Sequence, residues 1–440
     1  MSSGASRLNE DQIAERGARM ARRDDREYRV YLSEEQRSQP GCPAREVVLD
    51  QSRHATRSRA ARIGFVLLTV GACVNVGAGV TLALRDPHRA SDLRVMYDWC
   101  RAWLIGGQSL YTGTEASADY PPNAIVMLSP LALVPQRWLV PLWTAGAVAL
   151  TPVLPWLVMR CAWHRNRAAI AVPVLLYLCW AAPRTLLQFS LLSMTLACVP
   201  LLIVDAHWLA GGVALGLALC KPHIAGPIAL WMMVTGRFRP LVAAAAVVLV
   251  GWALYDARIG ENPVTTAAGY WHALGAEYTG PHGLIGNSSI RGWTWMVTAD
   301  PRKADALWIA LSVLLLIGVC WVARRDRSRS LDAGGLAVPA MFCLWSLLVS
   351  YHNGNNMILM LPAFAFLWFR GDRATSPWHW IPIVALQTAL AFDVPVRLSH
   401  LTPNLGWSRI AIEHFDRVVV LATLAYVSAA WYRLTEVRSS

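Results

Sequence analysis

Residues Ala61 to Leu84 read ARIGFVLLTVGACVNVGAGVTLAL, with no charge between Arg62 and Arg85. A hydrocarbon core of about 30 Å needs roughly 20 such residues in a helix, so this run predicts a membrane span. PLVAAAAVVLVGWALY (Pro240–Tyr255) and DALWIALSVLLLIGVCWVA (Asp305–Ala323) repeat the pattern. Over all 440 residues 55% are hydrophobic and only 15% charged, where a soluble domain carries roughly a quarter as charges. The fold class that follows is an all-α polytopic membrane protein with about 10–12 transmembrane helices.

The formal net charge is +12, yet the arginines are spread among short loops between apolar runs. The positive-inside rule accounts for that distribution, and nucleic-acid binding does not. Arg53, Arg57, Arg59 and Arg62 precede the first run and hold the N-terminus in the cytosol. Alternation then carries the chain through spans near 61–84, 139–159, 168–182, 187–204, 208–220, 222–235 and 240–256. Further spans fall near 306–323, 336–350, 356–369, 379–394 and 416–432. RCAWHRNR (Arg160–Arg167), GRFR (Gly236–Arg239) and RRDRSR (Arg324–Arg329) all come out on the cytosolic side. The reading therefore divides the chain into a charged cytosolic tail or surface helix (1–60), a transmembrane domain (61–433) and a short cytosolic tail (434–440). It places a multi-pass protein in the plasma membrane, with both termini inside and long loops 85–138 and 257–304 outside.

The nine cysteines show neither CxxC pairing nor zinc spacing, so no structural disulfide and no metal site are expected. Cys100 is the one thiol placed on the outer side.

The outer loops carry the polar residues. In DLRVMYDWCRAWLIGG, Leu93, Met96, Tyr97, Cys100 and Leu104 recur at helical spacing, which predicts an amphipathic helix on the membrane surface. Asp92 at its start either caps that helix or faces a reaction cavity and takes a proton. Pro121-Pro122 then break one helix and start another, leading into a short apolar run of re-entrant or interfacial character. Lys221 is one of only two lysines. It either anchors an outer hairpin or presents a cation at the depth of lipid phosphates. Gln188 at the start of a span either bonds a neighbouring helix or lines a cavity. Arg291 follows the polar GNSS of Gly286–Ser289, and SYHNGNN (Ser350–Asn356) is a polar knot whose His352 can carry a proton or donate to phosphate. Of the 21 tryptophans, Trp271, Trp293 and Trp295 are candidates for stacking on a sugar ring.

The order of these pieces resembles glycosyltransferase family 87, the polyprenyl-phosphate-sugar-dependent membrane transferases of the C superfamily. The resemblance rests on Asp92 after the first span, Gly107 with Tyr111, Tyr120-Pro121-Pro122, and the run from Pro130 to Pro135. It continues with Gln188, Lys221-Pro222 before GRFR, Asn287-Ser288-Ser289, and Ser350-Tyr351-His352 ahead of Leu361-Pro362. The family's glycine before the glutamine is Leu187 here. What the resemblance implies is a C-superfamily membrane fold and a sugar, mannose or in some members arabinofuranose, carried on a polyprenyl phosphate. That sugar passes with inversion to a glycan or glycolipid acceptor at the outer face. Asp92 is then the base, Lys221, His352 and Arg291 meet the donor phosphate, and Tyr111, Tyr120, Gln188, Asn287, Ser288 and Tyr351 contact substrate. The donor is itself the activated sugar, so no cofactor is expected. A transporter of lipid-linked glycans is the competing class; it normally keeps its ionisable groups at mid-membrane, whereas here they collect at the boundary.

Overall fold

The structure is a computed structural model that describes residues 43–86, 90–112, 118–162, 175, 177–178, 186–279, 289–298, 300–325, 336–350, 354–372 and 417–432. Its two compact units are Met1–Leu67 and Leu68–Ser440. In the first, the described backbone from Pro43 is helical. Among the described residues the second is built of helices joined by turns, without a strand.

Among the described residues four helices are long and apolar enough to cross a bilayer: Ile63–Arg85 within α1 (Pro43–Arg85), Gln136–Cys161 within α4 (Gln136–Ala162), α8 (Phe238–Ile259) and α11 (Pro301–Arg325). Their outward side chains are apolar. Val70 and Val74 on α1, Leu249 and Val250 on α8, and Leu314 and Ile317 on α11 are all exposed. An apolar exterior on this scale needs lipid to cover it. The protein is an all-α polytopic membrane protein. Shorter apolar helices complete it: α5 (Phe189–Ile203), α6 (Trp208–Ala218), α7 (Pro222–Val234), α12 (Ala337–Val349), α13 (Leu361–Asp372) and α14 (Arg417–Tyr432). These coincide with expected spans to within a few residues. The expected spans near 168–182 and 379–394 lie largely or wholly outside the described residues. At 1.5 Å per residue the 11-residue α6 is only about 16 Å long, too short to cross a bilayer alone.

The polar segment after the first apolar run forms the helix that its pattern predicts, with two corrections. Helix α2 (Ser91–Leu104) buries Leu93, Met96, Tyr97, Cys100 and Trp103. Trp103 takes the place expected of Leu104 because its indole N–H donates to the Tyr255 carbonyl (3.3 Å). Its ring also stacks on Tyr255 at 5.7 Å. The apolar face of α2 is therefore covered by the chain itself, against α3 (Pro122–Leu128), the 3-10 turn Ser129–Leu133 and α8, and not by lipid. Helix α3 starts with Pro122 in its first turn and extended Pro121 as its N-cap, which needs no backbone N–H from the proline.

Glycines let these pieces approach closely. A Cβ on Gly251 of α8 would lie 2.7 Å from the Cβ of Asn123 in α3. One on Gly269 of α9 (Pro263–Thr279) would lie 2.0 Å from the Tyr111 carbonyl oxygen. On α6, Gly212 and Gly216 form a small-xxx-small seam against Pro240, Ala244 and Val247 of α8.

Candidate active site

Asp92 lies in the first turn of α2 and is exposed. The N-cap is Ala90, which makes no side-chain cap bond, so Asp92 does not serve as the cap. Its Oδ1 accepts a hydrogen bond from the Ser91 hydroxyl at 3.3 Å, and the positive end of the helix favours its charge.

Lys221 occupies the turn between α6 and α7 as the N-cap of α7, and is only 6% exposed. Its ammonium stands 5.6 Å from the centre of the Tyr120 ring, a cation–π contact. Burial pushes its pKa below the usual lysine range, while the carboxylates of Asp92 and Asp119 act in the opposite sense. Neither closes an ion pair with it. Asp98, a second acid exposed on α2, is not among the charges that act on Lys221.

Tyr120 is the hub. Its ring meets Phe189 edge-on at 5.9 Å and Trp99 of α2 at 6.3 Å, besides Lys221. Burial first, then Asp119 and Asp92, hold its phenol well above the ordinary range, so the hydroxyl stays neutral. Tyr111 stands beneath: its hydroxyl donates to the Tyr120 carbonyl, and its ring is buried against Tyr255 and Tyr270. Tyr111 thus supports the hub from below.

Gln188 is the N-cap of α5, at the edge of burial (9% exposed) and next to the Phe189 that packs on Tyr120. Two residues after Gln188, the buried Ser190 hydroxyl donates to Asn356 Oδ1 at 2.8 Å. That bond ties the end of the SYHNGNN knot to the start of α5. Tyr351 and His352 of that knot lie outside the described residues, as do Asn287 and Ser288. Arg291 opens α10 (Arg291–Thr298) and makes a two-pronged bond to Asp305 of α11, Nε to Oδ1 at 2.7 Å and Nη2 to Oδ2 at 3.1 Å. It also lies over the Trp308 ring at 5.6 Å. This guanidinium pins α10 to α11.

The structure therefore brings Asp92, Tyr120 and Lys221 into one electrostatic cluster, with Tyr111 and Gln188 as its supports. Sequence reading missed Asp119 as a member; its adjacency to Tyr120-Pro121-Pro122 was the available signal. It also missed the Ser190–Asn356 tie, for which the sequence offers no local cue.

A family model decides the class: glycosyltransferase family 87 matches residues 119–351, more than half of the chain. The chain belongs to glycosyltransferase family 87. No curated protein and no solved structure gave a match. Membership makes the protein a membrane glycosyltransferase, with a sugar donor, an acceptor and the bilayer as its partners. The stretch that carries family 87 character contains Asp119, Tyr120, Gln188, Lys221 and Arg291, and Asp92 precedes it.

Proposed function

We propose that this family 87 enzyme transfers mannose from a polyprenyl-phosphate donor to a glycan or glycolipid acceptor at the outer face of the plasma membrane, with inversion. The observation that carries the reading is the charge arrangement around Lys221. A buried ammonium without an ion-pair partner among the described residues lies within the field of a solvent-exposed carboxylate, Asp92. An anionic ligand compensates such a buried cation, and an exposed carboxylate beside it can receive a proton.

In this mechanism the acceptor hydroxyl attacks the anomeric carbon and Asp92 takes its proton. The anomeric carbon–oxygen bond to phosphate breaks through an oxocarbenium-like state. The polyprenyl phosphate leaves with its added negative charge, and Lys221 stabilises that charge in a site poor in water. The Tyr120 ring, braced by Trp99 and Phe189, holds the ammonium from behind. In this reading His352 meets the donor phosphate, and Tyr351, Asn287 and Ser288 contact the substrate. Arg291 already holds Asp305, so a phosphate there would have to share it.

Incubating the purified protein with polyprenyl-phosphate mannose or polyprenyl-phosphate arabinofuranose, and reading acceptor mass, tests the proposal. A hexose-sized increase is expected with the first donor. A pentose-sized increase with the second alone replaces the sugar assignment, and no transfer from either overturns the donor class.

A further inference from the structure

A second polar cluster lies at the C-terminal end of α8, where the segment between α1 and α4 crosses it. Asp256, in the last turn of α8, is 5% exposed. Its Oδ1 accepts from the Thr266 hydroxyl at 2.7 Å, while its Oδ2 is buried with no hydrogen-bond partner among the described residues. The same Thr266 oxygen lies 3.4 Å from Glu261 Oε2. Glu261 is contacted in turn by the hydroxyls of Ser109 (2.9 Å to Oε2) and Thr112 (to Oε1). Two carboxylates and three hydroxyls thus share one small volume, and no lysine or arginine pairs with either acid among the described residues.

That arrangement is short of positive charge. One threonine hydroxyl has a single proton to offer the two acids it touches. The helix end beneath Asp256 is the negative end of the α8 dipole, which disfavours a carboxylate there. The orphaned Oδ2 belongs to the same buried carboxylate and so lies beside the oxygen that Thr266 holds. Oxygen–oxygen separations of 2.7–3.4 Å are those of neighbouring ligands around a cation held at about 2.3–2.6 Å.

We propose that Asp256, Glu261, Ser109, Thr112 and Thr266 form a binding site for a hard divalent cation, calcium by its all-oxygen and irregular ligand set. The ion neutralises the acid pair and staples residues 109–112 to the end of α8. Residues 109–112 lead towards Asp119 and Tyr120, so the staple positions that segment. The site takes no part in the proposed transfer, and its test needs no turnover.

The full chain, purified in lipid nanodiscs and stripped with EDTA, is titrated with calcium or magnesium chloride. Bound metal is measured by equilibrium dialysis and unfolding by tryptophan fluorescence. One calcium per chain is expected, with Tm rising about 3–6 °C at a hundredfold excess over Kd and a smaller rise with magnesium. E261Q should lose both the binding and the rise. Should E261Q fail to fold, Thr112→Val keeps both acids and should raise the calcium Kd several-fold. Absence of bound calcium overturns the proposal, as does an undiminished response in either folded variant. So does stabilisation by acidification alone, which would mean that the two acids share a proton.

Discussion

Lys221 is held between two opposing demands. Burial disfavours its charge, and the proposed chemistry requires it. Because its pKa is lowered, the ammonium loses its proton at a lower pH than an exposed lysine. Donor binding is then full while the amine is charged and falls as pH rises through the lowered value. Stability runs the other way: with the folded pKa below the unfolded one, the charged lysine costs stability, and that cost is relieved as pH climbs. Lys221→Met should accordingly raise Tm without donor while weakening donor affinity roughly 10- to 100-fold, measured by fluorescence unfolding and donor titration. Lys221→Arg should remove the alkaline loss of donor binding, since a guanidinium stays charged. At Asp92, substitution by Asn should lower the transfer rate by about 10²–10⁴ and leave Tm unchanged. Asp92 and Lys221 were legible in the sequence because an acid at a span's edge and a rare lysine between apolar runs both violate the local pattern. The role of Asp119 was not, because an acid in a polar loop violates nothing; only the fold brings its charge to bear on Lys221 and Tyr120.

Helices in this protein meet through glycine and through a few committed polar bonds. A Cβ on Gly216 would lie 2.6 Å from that of Val247 and 2.8 Å from the Ala244 carbonyl oxygen. Gly216→Ala should therefore destabilise the α6–α8 contact by about 1–3 kcal/mol. Gly226 of α7 has nothing within 4 Å of a Cβ, so Gly226→Ala should be neutral or slightly stabilising in the same unfolding assay. The Arg291–Asp305 bond makes a separate claim. Arg291→Ala and Asp305→Asn should each lower Tm, with the double variant no worse than the single ones. A large loss of donor affinity in Arg291→Ala alone would instead give the guanidinium to the phosphate. Helix positions were largely readable, because uninterrupted apolar runs admit little else in a bilayer. The packing of α2 was not: a hydrophobic stripe states that a face is covered, and Trp103 on Tyr255 shows that protein, not lipid, covers it.

At the scale of the whole molecule, an apolar exterior and the charged segment between α1 and α4 divide the labour. The exposed aliphatic faces of α1, α8 and α11 hold the protein in lipid. The stretch between Asp92 and Asn123, held at Tyr111 on Gly269 of α9 and at Asn123 on Gly251 of α8, supplies the base and the hub of the proposed site. A polyprenyl-phosphate donor suits this division, since its chain stays in the lipid while its headgroup meets Lys221. Topology follows the same logic: thiol-reactive probes should label a cysteine introduced at Asp98 from the outer side only. The central claim is that Asp92 acts chemically and Lys221 by binding, and donor binding measured beside single-turnover transfer separates the two. The account predicts that Asp92→Asn binds polyprenyl-phosphate mannose like the parent protein but transfers none of it on the same timescale. Transfer by Asp92→Asn at the parent rate would contradict it.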